Sequence, residues 1–173
     1  MKFSPSEIQV AAKFLGLIPA FALFAVQAGA ASNSPRVPAD WIEVSAGSTF
    51  SLMAPAGTKY RPAKGIDSMI GTFVAPGFEM SFDYGGYSDP LNAEAGDTGY
   101  AARNLPIDGK VAKLVTAYSP QRSSDRPYFV GVHFSDIEES PIGSIKLTIS
   151  SNLKNKNDYA TLETIFRTIR FKK

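Results

Sequence analysis

The stretch SMIGTFVAPGFEMSFDY, residues 68–84, decides how this chain folds. Pro76-Gly77 is a turn signal: proline presets φ and glycine accepts the positive φ of a tight turn. Folding the stretch about that pair sets Phe73 opposite Met80, Gly71 opposite Phe82 and Met69 opposite Tyr84. The alternate positions set Val74 opposite Glu79, Thr72 opposite Ser81 and Ile70 opposite Asp83. One face is then almost wholly apolar and the other mostly polar, as a half-buried antiparallel pair requires. A slip of one residue would scramble the faces. Gly71 leaves room for the ring of Phe82.

Period-two segments continue on both sides. WIEVS and TFSLMAP precede the hairpin, separated by Ala46-Gly47. KVAKLVTAY (110–118) follows an Asp108-Gly109 turn, and PYFVGVHF (127–134) follows a polar loop. SIKLTIS (144–150) alternates Ile145, Leu147 and Ile149 against Lys146 and Thr148. The period then changes. Tyr159, Leu162, Phe166 and Ile169 form the apolar stripe of a helix, with Asn157 or Asp158 placed to cap it. The expected fold is α+β: an antiparallel sheet of about six or seven strands with a C-terminal helix packed on one face. One helix covers one face, so the other face is solvated or open to contact.

Residues 1–30 differ in kind from the rest. Lys2 and Lys13 precede the uncharged run FLGLIPAFALFAVQAGA (14–30), which ends in Ala28-Gly29-Ala30. That order is expected of a cleavable signal peptide, with cleavage before Ala31. A membrane anchor needs about 20 apolar residues. This run is slightly short, contains Pro19 and Gln27, and lacks a charged residue at its far side. Residues 31–40, ASNSPRVPAD, read as a polar linker, and residues 41–173 as a single α+β domain. The expected location is periplasmic or secreted, with no membrane span once the signal is removed.

The chain has no cysteine, which excludes disulfides, thiol catalysis, thiolate metal sites and a lipidated cysteine anchor. Loss of residues 1–30 removes Lys2, Lys13 and Glu7 and takes the net charge from +2 to +1. Scattered, nearly balanced charge does not support nucleic-acid binding, which needs a concentrated basic patch.

TFSLMAPAGT (49–58), DYATLETIFRTIRF (158–171) and the strands between them resemble the PsbP-like α+β fold. That fold is shared by a photosynthetic extrinsic subunit and many secreted bacterial domains. The pattern GIDSMIG…FDYGGYSDP is similar to one in uncharacterised exported bacterial proteins. No family motif with a chemical role maps onto the chain, so the resemblance implies a fold and an exported location but no functional residue.

The one unusual segment is FDYGGYSDP (82–90). Extending the hairpin register brings Asp67 and Ser68 beside Gly85 and Gly86, and parity turns Asp67 towards the apolar side. A carboxylate there needs donors, or it costs several kcal/mol. The first reading is a polar latch in which Asp67 holds the loop while Gly85 and Gly86 supply positive φ. The second is a ligand loop of Asp67, Ser68, Tyr84, Gly85, Gly86, Tyr87 and Asp89.

Other candidates carry less. Asp97-Thr98-Gly99 has the tripeptide of aspartic proteases but no second copy. His133, the single histidine, falls on the face opposite Val130, Val132 and Phe134, with no partner set in the spacing. DIEES (136–140) reads as a solvated turn. The aromatic residues read as core before they read as a carbohydrate platform. No cofactor and no metal is expected. The function expected is a non-enzymatic exported domain that binds a small ligand or an envelope protein. The alternative is a carboxylate-dependent hydrolase using Asp67, Asp83 and Asp89.

Overall fold

The structure is a computed structural model and is described over residues 36–121, 123–141 and 143–172, all within one compact unit. The expected signal peptide and the first half of the linker lie outside these residues. The strands are β1 (Trp41–Ala46), β2 (Phe50–Pro55), β3 (Lys59–Ala63), β4 (Met69–Ala75) and β5 (Phe78–Gly85). They continue as β6 (Thr98–Ile107), β7 (Lys110–Tyr118), β8 (Tyr128–Ser140), β9 (Gly143–Leu153) and β10 (Arg170–Phe171). One α-helix, α1 (Tyr159–Arg167), follows a short 3-10 turn at Lys156–Asp158.

The hairpin of β4 and β5 has the register expected from the sequence, from Met69↔Tyr84 through Gly71↔Phe82 to Ala75↔Phe78. Gly77 takes φ +95° in the turn. A Cβ on Gly71 would lie 2.8 Å from the Phe82 ring and 2.8 Å from the Tyr60 ring. The glycine is what lets both rings close over the strand.

The described residues are mostly antiparallel sheet, and they form two sheets. Seven strands run in the order β3-β4-β5-β9-β8-β7-β6, and a separate sheet of three runs β1-β2-β10. The second sheet corrects the expectation of one sheet with a helix on its face. Phe171 pairs with Phe50 and Arg170 with Ser51, so the last residues of the chain return to β2. Phe50 meets Phe73 and Phe82 edge-on at 6.0 and 5.2 Å, which seats the small sheet against β4 and β5. Leu162, Ile165 and Phe166 of α1 are fully buried in the same core as Val132, Leu114 and Phe134. Small sheet and helix thus share one face of the large sheet, the inner face. Asp158 occupies the helix N-cap position, but its side chain makes no capping bond. The helix is held by tertiary packing and by Thr168, whose hydroxyl donates to Ile165 O at 2.6 Å and accepts from Met53 N at 2.8 Å.

Two strands had no signal in the sequence, and both are edges of the large sheet. β3 contains Pro62 and β6 contains Pro106, and both are mostly exposed. Proline and charge at an edge blunt further pairing, and they also erase the alternation that marks an internal strand. DIEES is not a turn. It continues β8 past a register shift, with Glu138 opposite Ile145 and Ser140 opposite Gly143. Among the described residues no helix is long and apolar enough to cross a membrane.

Candidate functional site

The outer face of the large sheet carries a polar row. Register places Asp83 opposite Thr148, Thr148 opposite His133, His133 opposite Lys113, and Lys113 opposite Asn104. The row therefore runs across β5, β9, β8, β7 and β6. These residues are far apart in sequence, and each alternates with a core residue on its own strand.

A crossover lies on that row. β5 and β6 run in the same direction with three strands between them, so no hairpin can join them. Residues 86–97 must cross one face of the sheet, and the inner face is already occupied. Backbone carbonyls that cross a sheet need donors from it. Thr148 Oγ1 donates to Asp89 O at 2.5 Å, and Ser88 Oγ donates to Asp83 O at 2.5 Å. Lys113 Nζ donates to Pro90 O at 2.9 Å, Leu91 O at 3.2 Å and Asn92 Oδ1 at 2.8 Å. Leu91, with φ +56°, is buried against Gly131, where a Cβ would lie 2.8 Å from Leu91 Cδ1. A leucine held in the left-handed region costs backbone energy, and its burial offsets that cost.

The 86–92 loop is thus latched, but by partners other than those expected. Asp67 is exposed, beside a fully exposed Ile66, and has no side-chain hydrogen bond within the described residues. The chain does bring Ser68 beside Gly85, where a Cβ would lie 2.5 Å from that of Ser68. The alternation of β4 stops at Met69, so parity does not carry Asp67 inward. Neither Gly85 nor Gly86 has positive φ. Gly85 is required by the close approach of Ser68, and Gly86 has open space around it. Tyr84 lies towards the inner face, stacked on Phe50 and donating to Glu138 Oε1 at 3.4 Å. Burial and then the Glu138 charge push its hydroxyl up to about 12. Tyr87 is exposed. Of the seven residues proposed for a ligand loop, Asp89 alone lines a cleft beside the crossover.

Two clefts flank the crossover. One, of ≈ 250 Å³, is lined by Ser81, Asp83, Asp89, Leu91, Glu94, Phe129, Thr148 and Ser150. It collects three carboxylates. Asp83 Oδ1 is buried there without a hydrogen-bond partner. The other, of ≈ 330 Å³, is lined by Pro90, Asn92, Asn104, Val111, Lys113, His133 and Ser135. His133 is 6 % exposed, and burial, then Lys113 and Lys146, hold its pKa below the ordinary 6.5. Its face was legible in the alternation of β8. Its partners were not, because they come from β7, β9 and the crossover. Among the described residues no group of three acidic or histidine side chains is arranged to hold a metal ion.

No known family model matches the chain, and no curated protein shows significant similarity to it.

Proposed function

We propose that the protein is an exported, non-catalytic binding domain of α+β type that acts at the cell envelope. Its ligand site is the cleft on the acidic side of the crossover. The ligand class is a small cation with N–H donors, such as an amine or guanidinium group, free or on a partner's side chain. One observation carries this reading: the buried, unpartnered Asp83 Oδ1 in a cleft shared with Asp89 and Glu94. A buried carboxylate oxygen without a donor is costly, and an ammonium or guanidinium supplies charge and donor together. Phe129 adds an apolar wall against which a cationic group can rest. The order of residues 1–30 and the PsbP-like resemblance support the exported location.

Spermidine and arginine amide are the probes. Titration followed by amide NMR should shift residues 81–83, 89–94 and 148–150 saturably. Asp83→Asn should weaken binding by about tenfold or more, the worth of a charge-assisted hydrogen bond. No shifts with either probe would sink the site assignment. Export is tested separately by the intact mass of the protein recovered outside the cytoplasm. A start near Ala31 supports it, and retention of residues 1–30 makes the protein membrane-anchored instead.

The second reading, a carboxylate-dependent hydrolase, is favoured by Asp83 and Asp89 lining one cleft. Exposed Asp67 takes no part in it. Turnover of simple glycosides or esters that is abolished by either Asp83→Asn or Asp89→Asn would establish this reading over binding.

A further inference from the structure

We infer that the protein carries a second binding site, for an oligosaccharide, in a tyrosine-lined cleft between the β6 edge and the first turn of α1. Thr116 and Tyr118 alternate with Lys113 and Val115 and share the face of buried Leu114. The cleft is therefore on the inner side of the large sheet, the face opposite the one that the crossover runs over.

Its volume, ≈ 490 Å³, falls within the roughly 300–1,000 Å³ typical of small-molecule sites. Tyr118 and Tyr128 form its aromatic surface, with ring centroids 5.1 Å apart and planes tilted by 49°. The rings are in contact but not stacked in parallel. Tyr118 remains 37 % exposed, at the end of a strand whose inward residues Ala112 and Leu114 are buried. Tyr159 buttresses the pair. It meets Tyr128 edge-on at 6.1 Å, and its hydroxyl donates to Ala117 O at 2.6 Å.

The strand opposite is bent towards the same place. Thr98 pairs with Tyr118, but the next pair is Ala101 with Thr116, which leaves an extra residue on β6. Gly99 takes φ +63° in this bulge. Bulges bend an edge strand and re-aim its side chains. Here the bulge lines the cleft with Thr98 and Gly99.

The chemistry of the lining selects the ligand. The hydroxyls of Thr98, Thr116, Tyr118 and Tyr128 are not spent on protein hydrogen bonds among the described residues. Each both donates and accepts. Lys156 supplies further donors, and no carboxylate lines the cleft. A purely apolar ligand would leave these groups unmet, and a cation would meet Lys156. A saccharide fits both parts: its C–H face lies on an aromatic ring, and its hydroxyls pair with hydroxyls.

The test follows tyrosine ring resonances in protein carrying ¹³C-tyrosine. Soluble hexasaccharides of glucose, of N-acetylglucosamine and of galacturonic acid are added to millimolar concentration. At least one should shift Tyr118 and Tyr128 saturably while Tyr60, in the distant core, stays still. Tyr118→Ala should weaken that binding by about tenfold or more, as loss of an aromatic anchor does, and Asp83→Asn should leave it unchanged. Thr98→Val, at the exposed edge, is the second variant and should weaken it with the amide spectrum preserved. No ring shift with any of the three sugars overturns the proposal. So does binding that neither variant alters.

Discussion

His133 and Thr148 face each other across β8 and β9, with Nδ1 2.9 Å from Oγ1. The Thr148 hydroxyl has one proton, and it goes to Asp89 O at 2.5 Å. The imidazole must therefore donate from Nδ1, which leaves Nε2 bare. A single hydroxyl thus ties a buried histidine to the backbone of the crossover.

The first prediction is that tautomer and its pH dependence. Long-range ¹H–¹⁵N spectra should show His133 neutral and protonated at Nδ1 at pH 7. Its folded pKa lies below the unfolded value of 6.5. The unfolded chain then binds the proton first as pH falls. Stability should decline as pH drops below about 6.5 and level off once the folded histidine is itself protonated. His133→Gln should flatten that part of the stability–pH curve. A curve unchanged by the substitution would contradict the buried neutral state.

Thr148→Val should loosen the crossover. It removes the donor to Asp89 O and the acceptor for His133 in one step. The expected cost is about 1–3 kcal/mol in chemical denaturation. Amide exchange should rise over residues 86–92 more than over β4. Asp67→Ala, at an exposed position, should change stability by less than about 0.5 kcal/mol. A larger effect of Asp67 than of Thr148 would restore the latch expected from the hairpin register alone.

Gly131→Ala should displace the same loop from below. The new methyl would meet Leu91 Cδ1 at 2.8 Å, with the Phe129 ring and Ser150 Cβ at 3.2 Å. Leu91 has to leave its seat or the strand has to move, at about 1–3 kcal/mol. Leu91→Ala in the same background should recover part of the loss, because it removes the clash. Additive effects of the two changes would mean that Leu91 does not rest on Gly131.

Phe166→Ala and Leu162→Ala should each cost about 2–5 kcal/mol, since both side chains are fully buried in the shared core. Thermal or urea denaturation reads this directly. Unchanged stability in both would mean that α1 does not close the inner face.

At high pH two tyrosines should resist ionisation. Tyr84 and Tyr159 are raised from 10.0 to about 12, each chiefly by burial. Their raised folded values stabilise the fold fully below pH 10, and that contribution is lost as pH rises towards 12. Phenolate absorbance should show these two ionising only as pH approaches 12. Tyr84→Phe should reduce the alkaline loss of stability.

The local pairings were legible in the order of residues alone. Residues 68–84 carried their turn, register and faces, because a two-residue turn and a period of two leave one arrangement that buries the apolar side. The apolar stripe from Tyr159 to Ile169 likewise marked the C-terminal helix. Edge strands β3 and β6 were not legible, since an exposed strand has no apolar face to alternate. The placement of β10 beside β2 was equally hidden, because two residues carry no period. Tertiary structure alone decided the site. Asp83, Thr148, His133, Lys113 and Asn104 come from five strands and meet through strand order, which no local period encodes. The crossover owes its path to the same order: β5 and β6 are parallel, the inner face is filled by α1 and the small sheet, and the outer face was the one left to cross.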